Sequence, residues 1–322
     1  MLKQIEINDS VLKRLALLHQ KGKLAHAYLL IGAKDSGKSE TALAIAKLIN
    51  CEANNDGNRL ASCETCPSCV KVNSGHHPDI HILDCPFGET IKIEEIREIL
   101  EQVRLRPFMG VKKIFIIKNI ENFTLEAANA LLKTLEEPSA NSLLLLTTSV
   151  LEKNLDTIKS RCHAIYFHPT AKNQLVDRLV KYYHEDTLDA QFLAYFSQGS
   201  LGKAIKLKDD KIIERKNQMI DRFILTSASE VFWKDILAEK EKTKEFLDIL
   251  LTWVRDALIL KAGAEEGYLV HRDRLKDLQK FQLRHSFDEL EQLYAEVVKM
   301  CQWLEDNLNL KMPLMIIQER LH

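Results

Sequence analysis

The chain reads as an α/β domain built on a parallel sheet with helices on both faces, followed by a small helical segment and an all-helical C-terminal third. Three observations predict this. Residues 28–31, 114–117 and 143–146 are continuous apolar runs rather than alternating ones, the pattern of strands covered on both faces. The stretches between them carry apolar residues at helical spacing. After about residue 168 the strand signal stops and the helical period continues alone.

Taken in order, Val11, Leu12, Leu15 and Leu18 recur at helical spacing behind Asp9-Ser10, a candidate N-cap. A strand over 28–31 leads into a glycine-bearing loop, and Ala42, Ile45, Ala46, Leu48 and Ile49 mark the helix after it. Residues 51–75 are a polar, cysteine-bearing insertion. Residues 80–83 read as a short strand, and Ile93, Ile96, Leu100 and Val103 as one face of an amphipathic helix. A strand over 114–117 precedes a helix on Ala128, Leu131, Leu132 and Leu135 that ends at Pro138, and two more strands are expected over 143–146 and 164–167. Residues 170–208 read as short helices broken at Gly199 and Gly202. From Asp210 onward Phe246, Ile249, Leu250, Trp253, Ala257 and Leu258 exemplify a dense helical pattern with no catalytic constellation. The expected domains are 1–168 with the insertion 51–75, a helical module 169–209, and a helical domain 210–322.

Composition sets outer bounds. The 322 residues are 46% hydrophobic and 28% charged, enough for two or three globular domains. With 45 basic against 46 acidic residues, any contact with DNA has to come from a local patch. No apolar run approaches membrane-spanning length, and residues 1–6 lack the apolar core of a signal peptide. Seven cysteines in such a chain favour reduced thiols or metal over disulfides. A cytoplasmic compartment is expected.

Gly32-Ala33-Lys34-Asp35-Ser36-Gly37-Lys38-Ser39 fits G-x-x-x-x-G-K-[ST] between a strand and a helix, the context a P-loop requires. Its backbone N–H groups and the helix N-terminus would face phosphates. Lys38 would reach the β- and γ-phosphates and Ser39 would ligate Mg²⁺. The partner motif is missing. Where a P-loop ATPase carries Asp-Glu at a strand end, this chain has Lys118-Asn119 after the strand 114–117. An ammonium there repels Mg²⁺ and an amide cannot take a proton, and loss of general-base help alone typically costs ~10²–10⁴-fold. Glu121, two residues on, is expected on a turn rather than at the strand end. The reading is ATP or ADP binding, with Mg²⁺ poorly held and no useful turnover.

Cys51, Cys63, Cys66 and Cys69 form C-x11-C-x2-C-x2-C. Such pairs can set four thiolates around one Zn²⁺, and all-sulfur ligation with no open position suits a structural ion. An iron–sulfur cluster or free thiols are the alternatives. His76, His77 and His81 are read as surface or turn residues. Cys85, Cys162 and Cys301 are isolated and read as small packing residues.

These residues carry a family likeness. His26-Ala27-Tyr28-Leu29-Leu30 before the loop, the four cysteines after its helix, Asn129-Ala130-Leu131-Leu132-Lys133-Thr134-Leu135-Glu136-Glu137-Pro138, and Ser160-Arg161-Cys162 resemble bacterial clamp-loader subunits of the AAA+ class. The likeness is specific over residues 20–168 and continues more weakly into Gly199-Ser200-Leu201-Gly202-Lys203-Ala204. It implies an AAA+ module, a small helical lid and a helical collar that assembles a pentameric ring. It also implies gamma/tau and delta subunits as partners, with the sliding clamp and primed DNA reached through the complex and no membrane. In that family the gamma/tau motors carry Asp-Glu where Lys118-Asn119 stands here, so the resemblance implies a non-hydrolysing stator. A gamma-type motor and a free-standing zinc and nucleic-acid-binding module are the competing readings. Arg161 resembles the arginine finger that reaches a neighbour's γ-phosphate; by local sequence alone it is a surface arginine in a loop. Thr148, or Thr147, resembles sensor 1. Lys203 stands where the family's sensor 2 often carries Arg, and a point charge does not replace a planar fork.

Overall fold

The computed structural model describes residues 8–54, 59–84, 89–150, 156–226, 228 and 230–321. Five strands there, β1 (Ala27–Gly32), β2 (Ile80–Leu83), β3 (Lys113–Ile117), β4 (Ser142–Thr148) and β5 (His163–Phe167), pair in parallel in the order β2-β3-β4-β1-β5. β4 lies at the centre, paired with β1 through Leu29↔Leu146 and with β3 through Ile116↔Leu145. Side chains along a strand alternate between faces, so a run of four leucines feeds two cores. Leu143 and Leu145 join Tyr28, Leu30, Ile114 and Ile116 beneath α1 (Asp9–Gln20) and α2 (Lys38–Ile49). Leu144 and Leu146 join Leu29, Ile31 and Ile117 on the other face. That face is covered by α4 (Ile93–Val103) through Ile96, and by α5 (Leu125–Glu136) through Ala127, Ala128, Leu131 and Leu135. Leu131 is fully buried, and cutting it to Ala would cost about 2–5 kcal/mol. The short α3 (Pro67–Asn73) and α6 (Asp156–Lys159) complete this part.

Local chemistry explains the ends. Asn8, one residue ahead of the expected Asp9-Ser10, caps α1: its Oδ1 accepts the Val11 N–H at 3.3 Å. Thr124 caps α5 in the same way, and Pro138 follows its last turn. The insertion is more structured than its polarity implies. A 3₁₀ turn (Glu52–Asn54) and α3, with Pro67 at its first position and the Cys66 sulfur accepting the Cys69 N–H, give it a defined backbone.

The chain divides into two compact units. The first holds residues up to Thr170 with Ser200–Lys203; the second holds Ala171–Gly199 and Ala204–His322. The other helices are α7 (Lys172–Tyr183), α8 (Thr187–Phe196), α9 (Leu201–Asp209), α10 (Ile212–Met219), α11 (Glu230–Ile236), α12 (Lys240–Lys261), α13 (Leu275–Arg284), α14 (Phe287–Glu305) and α15 (Lys311–Leu321). The helical break falls at Gly199, with φ +83°, and not at Gly202, which lies inside α9. Gly202 has a packing role instead: a Cβ there would sit 2.6 Å from the Asp35 carbonyl oxygen. In the second unit Trp253, Phe223, Phe246 and Leu250 centre the core, with α12 and α14 as its long walls. Among the described residues no helix is long and apolar enough to cross a membrane.

Candidate nucleotide site and cysteine centre

Gly32 closes β1 and Gly37 caps α2 with φ +82°, a left-handed conformation that a side chain at this position would strain. The turn brings Lys38 back over its own loop. Its Nζ donates to the carbonyls of Gly32 and Ala33, both at 2.7 Å, and lies 3.5 Å from the Ser36 Oγ. Lys38 is buried, which lowers its pKa, while the carboxylates of Glu121, Asp35 and Glu40 pull the other way. Thr41 ties the helix start down by donating from Oγ1 to the Gly37 carbonyl at 2.6 Å.

A cleft of about 780 Å³ opens beside this loop, within the range of small-ligand sites. Residues 34–40, from the loop and the first turn of α2 with Ser39 included, form one wall; Asp84, Lys118, Asn119, Glu121, Asn122, Thr147 and Ser149 form the other. β3 ends at Ile117, so Lys118 and Asn119 occupy the position after the strand. The Lys118 Nζ pairs with Asp84 Oδ2 at 2.7 Å, and Asn119 takes a left-handed conformation with its N–H on Thr147 Oγ1 at 3.2 Å. Glu121 sits on the 3₁₀ turn Ile120–Asn122, with Oε1 accepting the Ser149 N–H at 3.0 Å.

Of the two threonines ending β4, Thr147 faces the cleft and Thr148 does not. Adjacent strand residues point to opposite faces. Thr148 Oγ1 donates to the Val150 carbonyl at 2.6 Å instead. Lys203 donates its backbone N–H to Ser200 Oγ, and that hydroxyl donates to the Asp35 carbonyl of the loop at 2.5 Å.

The four cysteines converge. Their sulfurs lie within 4.8 Å of one another, with Cys51–Cys66 at 4.0 Å and Cys63–Cys69 at 3.9 Å. A tetrahedral ion bonded to four thiolates at about 2.3 Å makes sulfur–sulfur edges of about 3.8 Å, so these residues fit a metal ion. Backbone N–H groups point at the sulfurs: Cys66 N–H at Cys63 Sγ (3.3 Å) and Cys69 N–H at Cys66 Sγ (3.4 Å). Such donors, with that of Thr65 largest, bring the Cys63 thiol down to about 6, while burial pushes Cys51 and Cys69 up. Lys47, buried on α2, anchors the module through Glu64 at 2.8 Å. Cys162 packs at the edge of the α4–α5 core, its thiol pushed up to about 12 by burial, and Cys301 packs against the helical core. Cys85 lies outside the described residues.

His77 is buried, not on the surface. Ser68 Oγ donates to the Asn50 carbonyl at 2.6 Å, so it accepts from His77 Nε2 at 3.1 Å; His77 Nδ1 in turn accepts the Asp79 N–H. The imidazole is thereby held neutral with its proton on Nε2. Asp79, also buried, accepts N–H groups from Phe108 (2.6 Å), Met109 (2.8 Å) and Gly110 (2.7 Å). Burial raises its pKa, but the three donors outweigh it and hold the carboxyl below its usual range. Sequence reasoning missed this relay. Its one signal was an acid directly before an apolar strand, a poor place for an unpaired charge.

Arg161 lies between α6 and β5. Its Nε donates to Glu136 Oε1 at 2.7 Å, its Nη2 forms an ion pair with the same oxygen at 2.5 Å, and its Nη1 donates to the Thr157 carbonyl at 2.9 Å. Glu136 is the last residue of α5.

A sequence model described as DNA polymerase III, delta subunit, matches residues 7–171, and one described as DNA polymerase III, delta subunit, C terminal, matches 213–319. The chain is 29% identical over 315 residues to DNA polymerase III subunit delta' of Bacillus subtilis, covering 95% of this chain and 93% of that one. It is 31% identical over 216 residues to subunit tau of Escherichia coli, covering 66% of this chain but 33% of the relative. Among solved structures, a DNA polymerase III gamma subunit-related protein of Thermotoga maritima superposes with a TM-score of 0.47 at 22% identity, covering 98% of this chain and 99% of that one.

Proposed function

This chain belongs to the DNA polymerase III delta-subunit family, and from that premise we propose that it is a delta-prime-type stator of the clamp loader. It assembles in the cytoplasm with gamma/tau and delta subunits into a ring that opens the sliding clamp and loads it on primed DNA. Residues 1–168 are the AAA+ module, 169–209 its lid and 210–322 the collar that holds the ring. The observation that carries the stator reading is the strand end. Lys118 stands where a motor needs a metal-positioning carboxylate, and its charge is turned to Asp84 on the same wall of the cleft. Support also comes from Lys38, whose ammonium rests on the carbonyls of Gly32 and Ala33. The cleft holds ATP or ADP without turnover. The cysteine centre holds a structural Zn²⁺, which ties the end of α2 to α3 and supplies no chemistry.

Arg161 serves in trans. Its guanidinium stabilises charge developing on the γ-phosphate in a neighbouring subunit's site, an effect worth roughly 10³–10⁵-fold in other P-loop enzymes. The test has two arms. The isolated chain should turn over ATP far below ~1 s⁻¹, the low end of ordinary enzymes; turnover at that level that vanishes in Lys38→Ala would make it a gamma-type motor. The reconstituted ring carrying Arg161→Ala should assemble by gel filtration yet lose DNA-stimulated ATPase at one site. A variant ring that turns over like wild type refutes the finger.

A further inference from the structure

The end of α5 breaks a local rule. Glu136 and Glu137 place two carboxylates at a helix C-terminus, where the partial negative charge of the backbone disfavours anions. A helix stop needs only the proline that follows. Residues that violate local preference without a compensating local gain point to a role elsewhere, and for Glu136 the geometry shows the partner. Its Oε1 accepts from Arg161 Nε and forms an ion pair with Nη2, while the Thr157 carbonyl and the Ser160 Oγ accept from Nη1 at 2.9 and 3.2 Å. The guanidinium is thus held from two sides, by α5 and by the last turn of α6, although the side chain is about a third exposed.

We infer that Glu136 is the positioning residue for Arg161: it holds the guanidinium plane so that its outer edge is presented to a phosphate borne by a neighbouring subunit. The inference rests on the finger reading of Arg161 and adds what aims it. A free arginine on a surface loop samples many rotamers and loses them on reaching a phosphate. Anchoring Nε and Nη1 fixes the fork before the partner arrives, and the N–H left on Nη2 is available for a charge-assisted contact. The carboxylate partly offsets the arginine's charge, so the gain is one of placement and belongs in kcat rather than KM.

The experiment is DNA-stimulated ATP hydrolysis by the reconstituted ring carrying Glu136→Ala, Glu136→Gln, Arg161→Ala, or Glu136→Ala with Arg161→Ala, with assembly checked by gel filtration. The quantity read is the part of the rate that Arg161→Ala removes. Glu136→Ala should cut that part roughly 10-fold or more, since small misplacements of a catalytic group can cost up to about 10²-fold, and leave KM for ATP unchanged. Glu136→Gln should retain most of it, because the Nε bond and the Nη2 contact meet a single oxygen that the amide preserves. The double variant should match Arg161→Ala alone, the non-additivity of a residue acting through another. An unchanged or raised rate in Glu136→Ala, or a loss that adds to that of Arg161→Ala, overturns the positioning role while leaving the finger intact. An Arg161→Ala ring with wild-type turnover overturns the finger itself, and the positioning role with it.

Discussion

Replacing Asp79 by Asn changes a carboxylate for an amide of equal size at a fully buried position. The carboxylate spreads three backbone N–H groups over two oxygens: Phe108 on Oδ1, Met109 and Gly110 on Oδ2. An amide can keep at best the two bonds to one oxygen, at neutral strength, and turns an N–H₂ toward the third donor. Hydrogen bonds to a charged group are worth about 1.5–3 kcal/mol each and neutral ones about 0.5–1.5. Losing one and weakening two therefore costs about 2–4 kcal/mol, after relief from burying a charge and access of water to the half-exposed loop. The readout is native-state hydrogen exchange, where each 1.4 kcal/mol of lost protection is a tenfold faster rate. Exchange of the Phe108, Met109 and Gly110 amides should accelerate at least tenfold in Asp79→Asn, with α12 amides unaffected. The pH dependence has a definite sign. The folded carboxyl lies below its ordinary value, so its contribution is present above the unfolded pKa and fades only as pH falls through the depressed one. Unchanged exchange at these three amides would show that the carboxylate does not hold the loop.

The chain purified without chelator should carry one zinc, and Cys66→Ser should lower the zinc content; metal analysis that finds none sinks the assignment. Lys38→Ala should weaken retention of fluorescent ATP or ADP by tenfold or more, since a charged hydrogen bond to phosphate is worth about 1.5–3 kcal/mol; equal affinity for wild type and variant would place the nucleotide elsewhere. In the helical unit, burial pushes Asp256 up to about 6 although the Val270 and His271 N–H groups hold its anion. A raised folded pKa means stability present below the unfolded value of 3.8 and lost as pH rises through about 6. Asp256→Asn should therefore gain on wild type by up to about 3 kcal/mol between pH 4 and pH 7, at 1.36 kcal/mol per pKa unit. His271, whose pKa burial lowers, drives the opposite trend equally in both proteins. Parallel Tm curves for the two proteins across that range would refute the shift.

The sheet and its motifs were open to inspection in the chain because their causes are local. A strand covered on both faces must be apolar at every position, so residues 114–117 and 143–146 could be little else. A P-loop must put glycine where φ is positive, and four thiolates around one ion must be closely spaced. What tertiary structure alone decided is where polar side chains found partners across the sequence. Register on β4 turned Thr147 into the cleft and Thr148 onto its own loop. Packing buried His77 and Asp79 and thereby forced each to be hydrogen-bonded, 29 to 31 residues away in the case of Asp79. Gly202 looked like a helix breaker and instead clears space for the Asp35 carbonyl. Glu136 meets Arg161 across 25 residues. Apolar periodicity records which face of an element is dry, a property each segment carries by itself. The pairing of charges and hydrogen bonds depends on which segments the fold brings together, and no single segment encodes it.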